Sequence, residues 1–198
     1  MRPKDLLWIL AYPIYQLVGT LRHEAAHALA AVALGGRITA FVFWPTPGRW
    51  GSVSWVGPSG YLTTAAPYLL DLATFLAAFA IVARWNMRRW LALNLIALGA
   101  ISPLVNTAYN YAHRFRSCND THHLLERGEA LLVHGYFVAT MGLYLAGLFW
   151  LLTRAPGLRP VAPAAGSARA HVHGPVAILS FGVLMLAVAA LYALKLTF

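Results

Sequence analysis

The segment His23–His27 reads HEAAH, which places two imidazoles four residues apart and a carboxylate beside the first. On an α-helix, residues i and i+4 lie on one face, so both imidazoles can bind one Zn²⁺. Glu24 then lies close enough to take a proton from water activated by the metal. The motif predicts Zn²⁺ as cofactor, His23 and His27 as metal ligands and Glu24 as the catalytic base.

The composition indicates the surroundings in which this motif works. Of the 198 residues, 60% are hydrophobic and 11% are charged, and the mean hydropathy is +0.62. Soluble domains carry about 25% charged residues, so the chain is predicted to be an integral membrane protein, and disorder is excluded. The net charge of +9 comes without a basic cluster interleaved with aromatic residues. We therefore expect membrane lipids, and no nucleic acid, as partners of the basic side chains.

Five apolar runs predict the fold. Each is long enough to cross a core of about 30 Å as a helix, the conformation that hydrocarbon surroundings require. The prediction is an all-α polytopic membrane protein with about five transmembrane helices. The runs are Leu6–Leu34, Tyr61–Ala83, Trp90–Ala112, Ala130–Leu152 and Val176–Thr197.

Two segments between the runs have other compositions. Ile38–Trp44 and Ser52–Val56 are rich in β-branched and aromatic residues and flank the turn residues Pro45–Arg49, which predicts a small β-hairpin between helices 1 and 2. Arg154–Gly174 is rich in Ala, Pro, Gly and Arg and predicts a flexible linker. The expected organisation is a membrane-embedded core over 1–153, a linker over 154–175 and an additional transmembrane helix over 176–198.

A catalytic zinc usually has three protein ligands, and the sequence leaves the third open. Helices that alternate in direction bring the loop His113–Arg127 to the side of the membrane where HEAAH lies. Asp71, in the second run, is about 10 Å deeper than His23 by the rise per residue, which favours a polar-network role. A carboxylate in a membrane segment is nevertheless a functional candidate. The candidates for the third ligand are Asp120, Asp71, His122 and His123.

Two amides near the end of the third run are candidate binding residues. Asn106 lies at about the depth of His23, and Asn110 is one turn further along. Either amide could hold a substrate backbone or an oxyanion, and an interhelical hydrogen bond is the alternative. Arg22, beside the motif, could assist the site or reach for lipid phosphates.

HEAAHALAAVALGGRI, from His23 to Ile38, resembles the site-2 protease family of intramembrane zinc metallopeptidases, and its small bacterial members most closely. The resemblance implies a Gly-Gly turn and a short hairpin after the first helix. It also implies an aspartate after a later helix as third ligand, for which Asp120 is the match, although Thr121 follows where the family often has glycine. It further implies a multi-pass protein of a bacterial cell membrane that hydrolyses peptide bonds in or near transmembrane segments of protein substrates.

Two other functions fit parts of the sequence. His23 and His27 satisfy an HxxxH pattern and His122 and His123 are paired, as in membrane di-iron oxygenases of the desaturase and hydroxylase type. Asn119 stands where the first histidine of an HxxHH box would be. The chain could also be a noncatalytic membrane partner protein that keeps the motif for its structure. The sequence does not indicate whether the chain forms a homo-oligomer.

Overall fold

The computed structural model describes residues 12–44, 50–117 and 119–158. Within these ranges the chain is mostly helical, with one two-stranded antiparallel sheet. The helices are α1 (Tyr12–Ala33), α2 (Tyr61–Arg84), α3 (Arg89–Ile96), α4 (Ser102–Ala112), α5 (Asp120–Arg127) and α6 (Ala130–Arg154). A π-helical turn (Ala97–Ile101) joins α3 to α4, the strands are β1 (Arg37–Val42) and β2 (Ser52–Val56), and a short 3₁₀ turn spans Pro156–Leu158. Several predicted features lie outside the described residues: residues 6–11 of the first run, the turn Pro45–Arg49, residues 159–175 of the predicted linker and the run Val176–Thr197. Cys118 also lies outside them.

Three helical segments of the described chain are long and apolar enough to cross a membrane. They are α2, the segment Arg89–Ala112 that joins α3 to α4, and α6. The bounds of these three segments lie within two residues of the predicted runs. The agreement arises because the predicted runs and the helices follow the same continuous apolar sequence. α1 is not among the three by this criterion, since its HEAAH segment and Arg22 make it more polar.

The apolar core lies between α2, the Arg89–Ala112 segment and α6. A large group of buried side chains meets there, among them Phe75, Ile96, Ile101, Tyr144 and Leu148. Glycines allow the backbones to approach: a Cβ atom on Gly99 would lie 2.1 Å from Ala78 Cβ, and one on Gly147 would lie 2.4 Å from Phe75 Cζ. Small residues at helix contacts are typical of helices that pack in lipid.

A glycine cap turns the chain from α1 into the hairpin. Gly35 has a φ of 86°, a left-handed conformation that favours glycine. The Gly36 N–H donates to Ala31 O at 2.8 Å and the Gly35 N–H donates to Val32 O at 2.9 Å, the pair of bonds that defines a Schellman cap. The strands that follow pair antiparallel with Arg37 opposite Val56. The expected hairpin is confirmed.

Two features differ from the sequence-based predictions. The loop after the third run contains the short helix α5, which the apolar pattern did not indicate because the helix is mostly polar. At the other end, Leu158 is buried against the core and its carbonyl oxygen accepts from Arg89 Nη1 at 2.7 Å. The packed core therefore extends to Leu158, and the first residues of the predicted linker are fixed to it.

Candidate metal centre

Helix α1 supplies two converging histidines. His23 and His27 are 7% and 5% exposed, and their ring centroids lie 4.9 Å apart. The spacing of four residues places both rings on the same face of α1, as the sequence predicts. Glu24, on the adjoining face, lines the same cavity and is 9% exposed.

Asp120 completes the cluster from the start of α5. Its Oδ2 atom lies 3.0 Å from His23 Nε2 and 3.1 Å from His27 Nε2. Asn119 caps this helix, since its Oδ1 atom accepts from the Thr121 N–H at 2.8 Å. An acidic residue in the first turn also interacts favourably with the helix dipole. The cap therefore fixes the start of α5, of which Asp120 is the first residue.

The three donors fit a zinc ion by their chemistry and their spacing. One atom from each of His23, His27 and Asp120 lies within 4.8 Å of the others. Ligands about 2.0–2.2 Å from zinc in a tetrahedral arrangement are about 3.3–3.6 Å apart, so the cluster needs only small shifts to close around an ion. Two imidazoles and one carboxylate leave a fourth position for water or substrate.

The Asp120 carboxylate is held in its charged form. Burial favours the neutral acid, but the hydrogen bonds with His23 and His27 and their charge outweigh burial and hold the pKa of Asp120 well below its usual range. A charged carboxylate is the form that binds a metal ion.

The carbonyl oxygen of Thr63 orients His27. His27 Nδ1 donates to this oxygen at 2.8 Å, which leaves Nε2 as the nitrogen that can bind a metal. Inside an α-helix the Thr63 oxygen would accept from residue 67, but that residue is proline and has no N–H. Pro67 therefore leaves a backbone acceptor in α2 available to a side chain of α1. On the other side, Trp55 of β2 stacks on His27, with centroids 6.4 Å apart.

Asn106 contacts His23, the other histidine of the cluster. Its Nδ2 atom lies 2.9 Å from His23 Nδ1 and donates to Asp71 Oδ2 at 2.8 Å. Asn110 Nδ2 donates to the Asn106 carbonyl at 3.0 Å and to Oδ1 at 3.2 Å, and Asn119 Nδ2 donates to Asn110 Oδ1 at 3.1 Å. The amides of Asn106 and Asn110 thus join α2, α4 and the start of α5. These are interhelical hydrogen bonds, and both residues also line the cavity at the cluster, so their role towards a substrate or an oxyanion stays a prediction.

A cavity of about 370 Å³ opens onto the cluster. His23, Glu24 and Asp120 line it from the helices, and Trp55 is among the hairpin residues that also line it. The hairpin passes close to the base: a Cβ atom on Gly51 would lie 2.9 Å from Glu24 Cγ and 3.0 Å from Oε1. The candidate ligands, the candidate base and the hairpin therefore line one cavity.

The other candidate ligands have different partners. His122 Nε2 lies 3.2 Å from Glu126 Oε1 and His123 Nδ1 lies 3.3 Å from Glu126 Oε2, so both pair along α5. His123 also lines the cavity. Asp71 binds Arg22, whose Nη2 atom is 2.6 Å from Asp71 Oδ1. Arg22 thus points into the helix bundle.

Sequence reasoning missed two partners of the cluster. The Thr63 carbonyl could have been found from the proline four residues after it, which removes the usual donor. The pair of Arg22 and Asp71 had a weaker signal, two opposite charges in apolar runs. The rise per residue places Asp71 about 10 Å deeper than His23, which argued against a contact with this part of α1. The long side chain of Arg22 nevertheless reaches the Asp71 carboxylate.

Comparisons of the chain with protein-family models, with curated proteins and with solved structures gave no significant match.

Proposed function

We propose that this protein is an intramembrane zinc metalloendopeptidase that hydrolyses peptide bonds in or near transmembrane segments. The observation that carries the proposal is the convergence of His23, His27 and Asp120 on one point, with Glu24 on the same cavity. The local resemblance of HEAAHALAAVALGGRI to site-2 proteases supports the same reaction.

In this proposal His23, His27 and Asp120 hold zinc, which when bound supplies Lewis acidity for activating water and polarising a peptide carbonyl. Glu24 accepts the proton of the attacking water and delivers it to the amine that leaves. Glu24 is suited to this role because it lines the cavity beside both histidines. His27 keeps its orientation through the Thr63 carbonyl.

The proposed substrate is a transmembrane protein segment that unwinds locally. A helix hides its carbonyl groups in hydrogen bonds, so a peptidase needs an extended strand. β2 has only β1 as a neighbour in the described sheet, and its residues Ser52, Val53 and Trp55 line the cavity. An extended substrate could pair with the open edge of β2 beside the cluster.

The proposed setting is a multi-pass arrangement in a bacterial cell membrane. α2, the Arg89–Ala112 segment and α6 have the length and composition for crossing it. α1 would lie among them as a fourth buried element, since its polar face contacts α2 and α4 through Arg22 and His23.

The Glu24→Gln variant tests the base. Glutamine keeps the size of glutamate but cannot take a proton, so zinc content should stay at that of the wild type while cleavage of a membrane-embedded peptide falls about 10²- to 10⁴-fold. The measurements are zinc per chain by mass spectrometry and product by gel. Glu126→Gln is the matched control, because the Glu126 side chain is 55% exposed and lies outside the cavity lining. Undiminished cleavage by Glu24→Gln would remove Glu24 from the mechanism.

Metal analysis also separates this proposal from oxygen chemistry. A peptidase should contain one zinc per chain, whereas a di-iron oxygenase should contain two irons. The described residues contain one group of three converging donors, which favours a single metal ion.

A further inference from the structure

Arg116 lies in the turn between α4 and α5 and lines the cavity of the metal cluster. Its backbone is hydrogen-bonded on both sides, since its N–H donates to His113 O at 2.9 Å and its carbonyl oxygen accepts from the Asn119 N–H at 3.0 Å. Asn119 directly precedes the candidate ligand Asp120. The turn therefore holds the arginine at a set position near the start of α5.

The guanidinium of Arg116 is available to a ligand. It is exposed, and it has no hydrogen bond or ion pair with any residue that the structure describes. Arg114, in the same turn, is engaged: its Nη1 donates to Tyr111 O at 3.0 Å, and its guanidinium lies over the rings of Tyr111 and Phe115. The two arginines of this turn thus differ, and the one that lines the cavity is the one with unused donors.

The charges around the cavity favour an anion beside Arg116. Among the described residues that line it, the carboxylates are Glu24 and Asp120, and Asp120 is hydrogen-bonded to both histidines of the cluster. A Zn²⁺ ion balances these two carboxylates, so Arg116 then adds an unbalanced positive charge. Arginine binds a carboxylate through two parallel N–H bonds, which fix its direction as well as its position.

The turn also lies just beyond a segment that can cross the membrane. The apolar segment Arg89–Ala112 ends with α4, and Arg116 follows four residues later. A substrate that crosses the same membrane has the stretch that flanks its apolar segment at this level. An acidic residue in that stretch reaches the cavity without the cost of entering the hydrocarbon core.

We propose that Arg116 is a specificity-determining residue that binds an aspartate or glutamate side chain of the substrate, in the stretch that flanks its transmembrane segment. This inference rests on the proposed peptidase function and adds a preference among its substrates. A peptide carboxylate fits better than a lipid phosphate, because Arg116 shares its cavity with the candidate ligands and the candidate base.

Paired transmembrane peptides test the proposal on the full chain in detergent. The two peptides of a pair carry glutamate or glutamine at one position beside the apolar segment, and further pairs move this position along the flanking stretch. At one or two positions the wild type should cleave the glutamate peptide with a kcat/KM about three- to tenfold higher, as expected for a charge pair in contact with water. Added salt should reduce this preference.

Three variants show whether Arg116 causes the preference. Arg116→Gln should cleave both peptides at the rate at which the wild type cleaves the glutamine peptide. Arg116→Glu should favour a peptide with lysine at the same position, a reversal that a purely structural role does not produce. Arg127→Gln is the matched control, because Arg127 is an exposed residue of α5 outside the cavity lining, and it should keep the wild-type preference.

Equal kcat/KM for both peptides at every position in the wild type would overturn the inference, and so would a preference that persists in Arg116→Gln. An equal loss in Arg127→Gln would also overturn it, since net charge would then be the cause. If Arg116→Gln changes only the response to anionic phospholipid in mixed micelles, the ligand is a lipid phosphate and the inference is wrong. A wild type that cleaves no peptide would contradict the proposed function as well.

Discussion

Thr63 contributes to the candidate site through one backbone atom. Its carbonyl oxygen would normally belong to the hydrogen-bond ladder of α2, but Pro67 offers no N–H, and His27 Nδ1 donates to it instead. The proline thus determines which nitrogen of His27 faces Asp120. A residue that touches neither metal nor substrate can in this way decide how a ligand is presented.

Pro67→Ala tests this arrangement. Alanine restores an N–H that competes with His27 for the Thr63 carbonyl, so zinc affinity should fall by up to about tenfold. Helix stability should hold or rise, because proline disfavours a helix interior. Chelator competition and a thermal unfolding curve measure the two effects. Pro156→Ala, in the terminal 3₁₀ turn, is the control. Unchanged zinc affinity in Pro67→Ala would contradict the orienting role of the Thr63 carbonyl.

At the scale of elements, the hairpin and α5 both contribute residues to the site. β2 brings Trp55 onto His27, and α5 brings Asp120 onto both histidines. Neither element contributes to the main apolar core. α5 is held by the Asn119 cap and by Leu124, which packs with Tyr68 and Phe137 in a smaller apolar cluster. The clearest local contact that fixes the hairpin is the Gly35–Gly36 turn.

Gly51→Ala tests how closely the hairpin fits against the base. The added methyl group would meet Glu24 Cγ at 2.9 Å and Thr20 Cγ2 at 2.7 Å, so the carboxylate must move. A displacement of about 1 Å at a catalytic group can reduce turnover about 100-fold. We expect kcat to fall at least about tenfold while zinc content stays constant, measured by peptide cleavage and metal analysis.

Gly60→Ala is the matched control for this substitution, since no atom lies within 4 Å of a Cβ built at Gly60. If Gly51→Ala cleaves as fast as the wild type, then the hairpin does not constrain Glu24, and the close approach has no part in catalysis.

For the whole molecule, the apolar exterior of α2 and α6 predicts firm membrane integration. Large apolar side chains are exposed along α2 and α6, among them Leu62, Leu69, Leu131, Leu132 and Val138. Such surfaces require lipid or detergent. The chain should therefore stay in the membrane fraction through an alkaline carbonate wash, followed by immunoblotting. Release into the soluble fraction would contradict the multi-pass arrangement.

The sequence by itself determined the helices and part of the candidate site. Apolar runs and the spacing of HEAAH are local properties, so they predicted the ends of α2 and α6 within two residues and placed His23 and His27 on one face. The Gly-Gly turn and the hairpin were equally local. Helix α5 also had a local signal, the Asn119 cap before an acidic first turn, which is weaker than an apolar run.

Only the tertiary structure decided how the cluster closes. The sequence left four candidates for the third ligand, and the fold brings Asp120 to the histidines while it pairs Asp71 with Arg22. It likewise brought the Thr63 and Leu98 carbonyls to side chains of α1. These contacts join residues far apart in the chain, and they depend on helix tilt, loop path and the reach of side chains. The rise per residue gives depth along a single helix and contains none of this information.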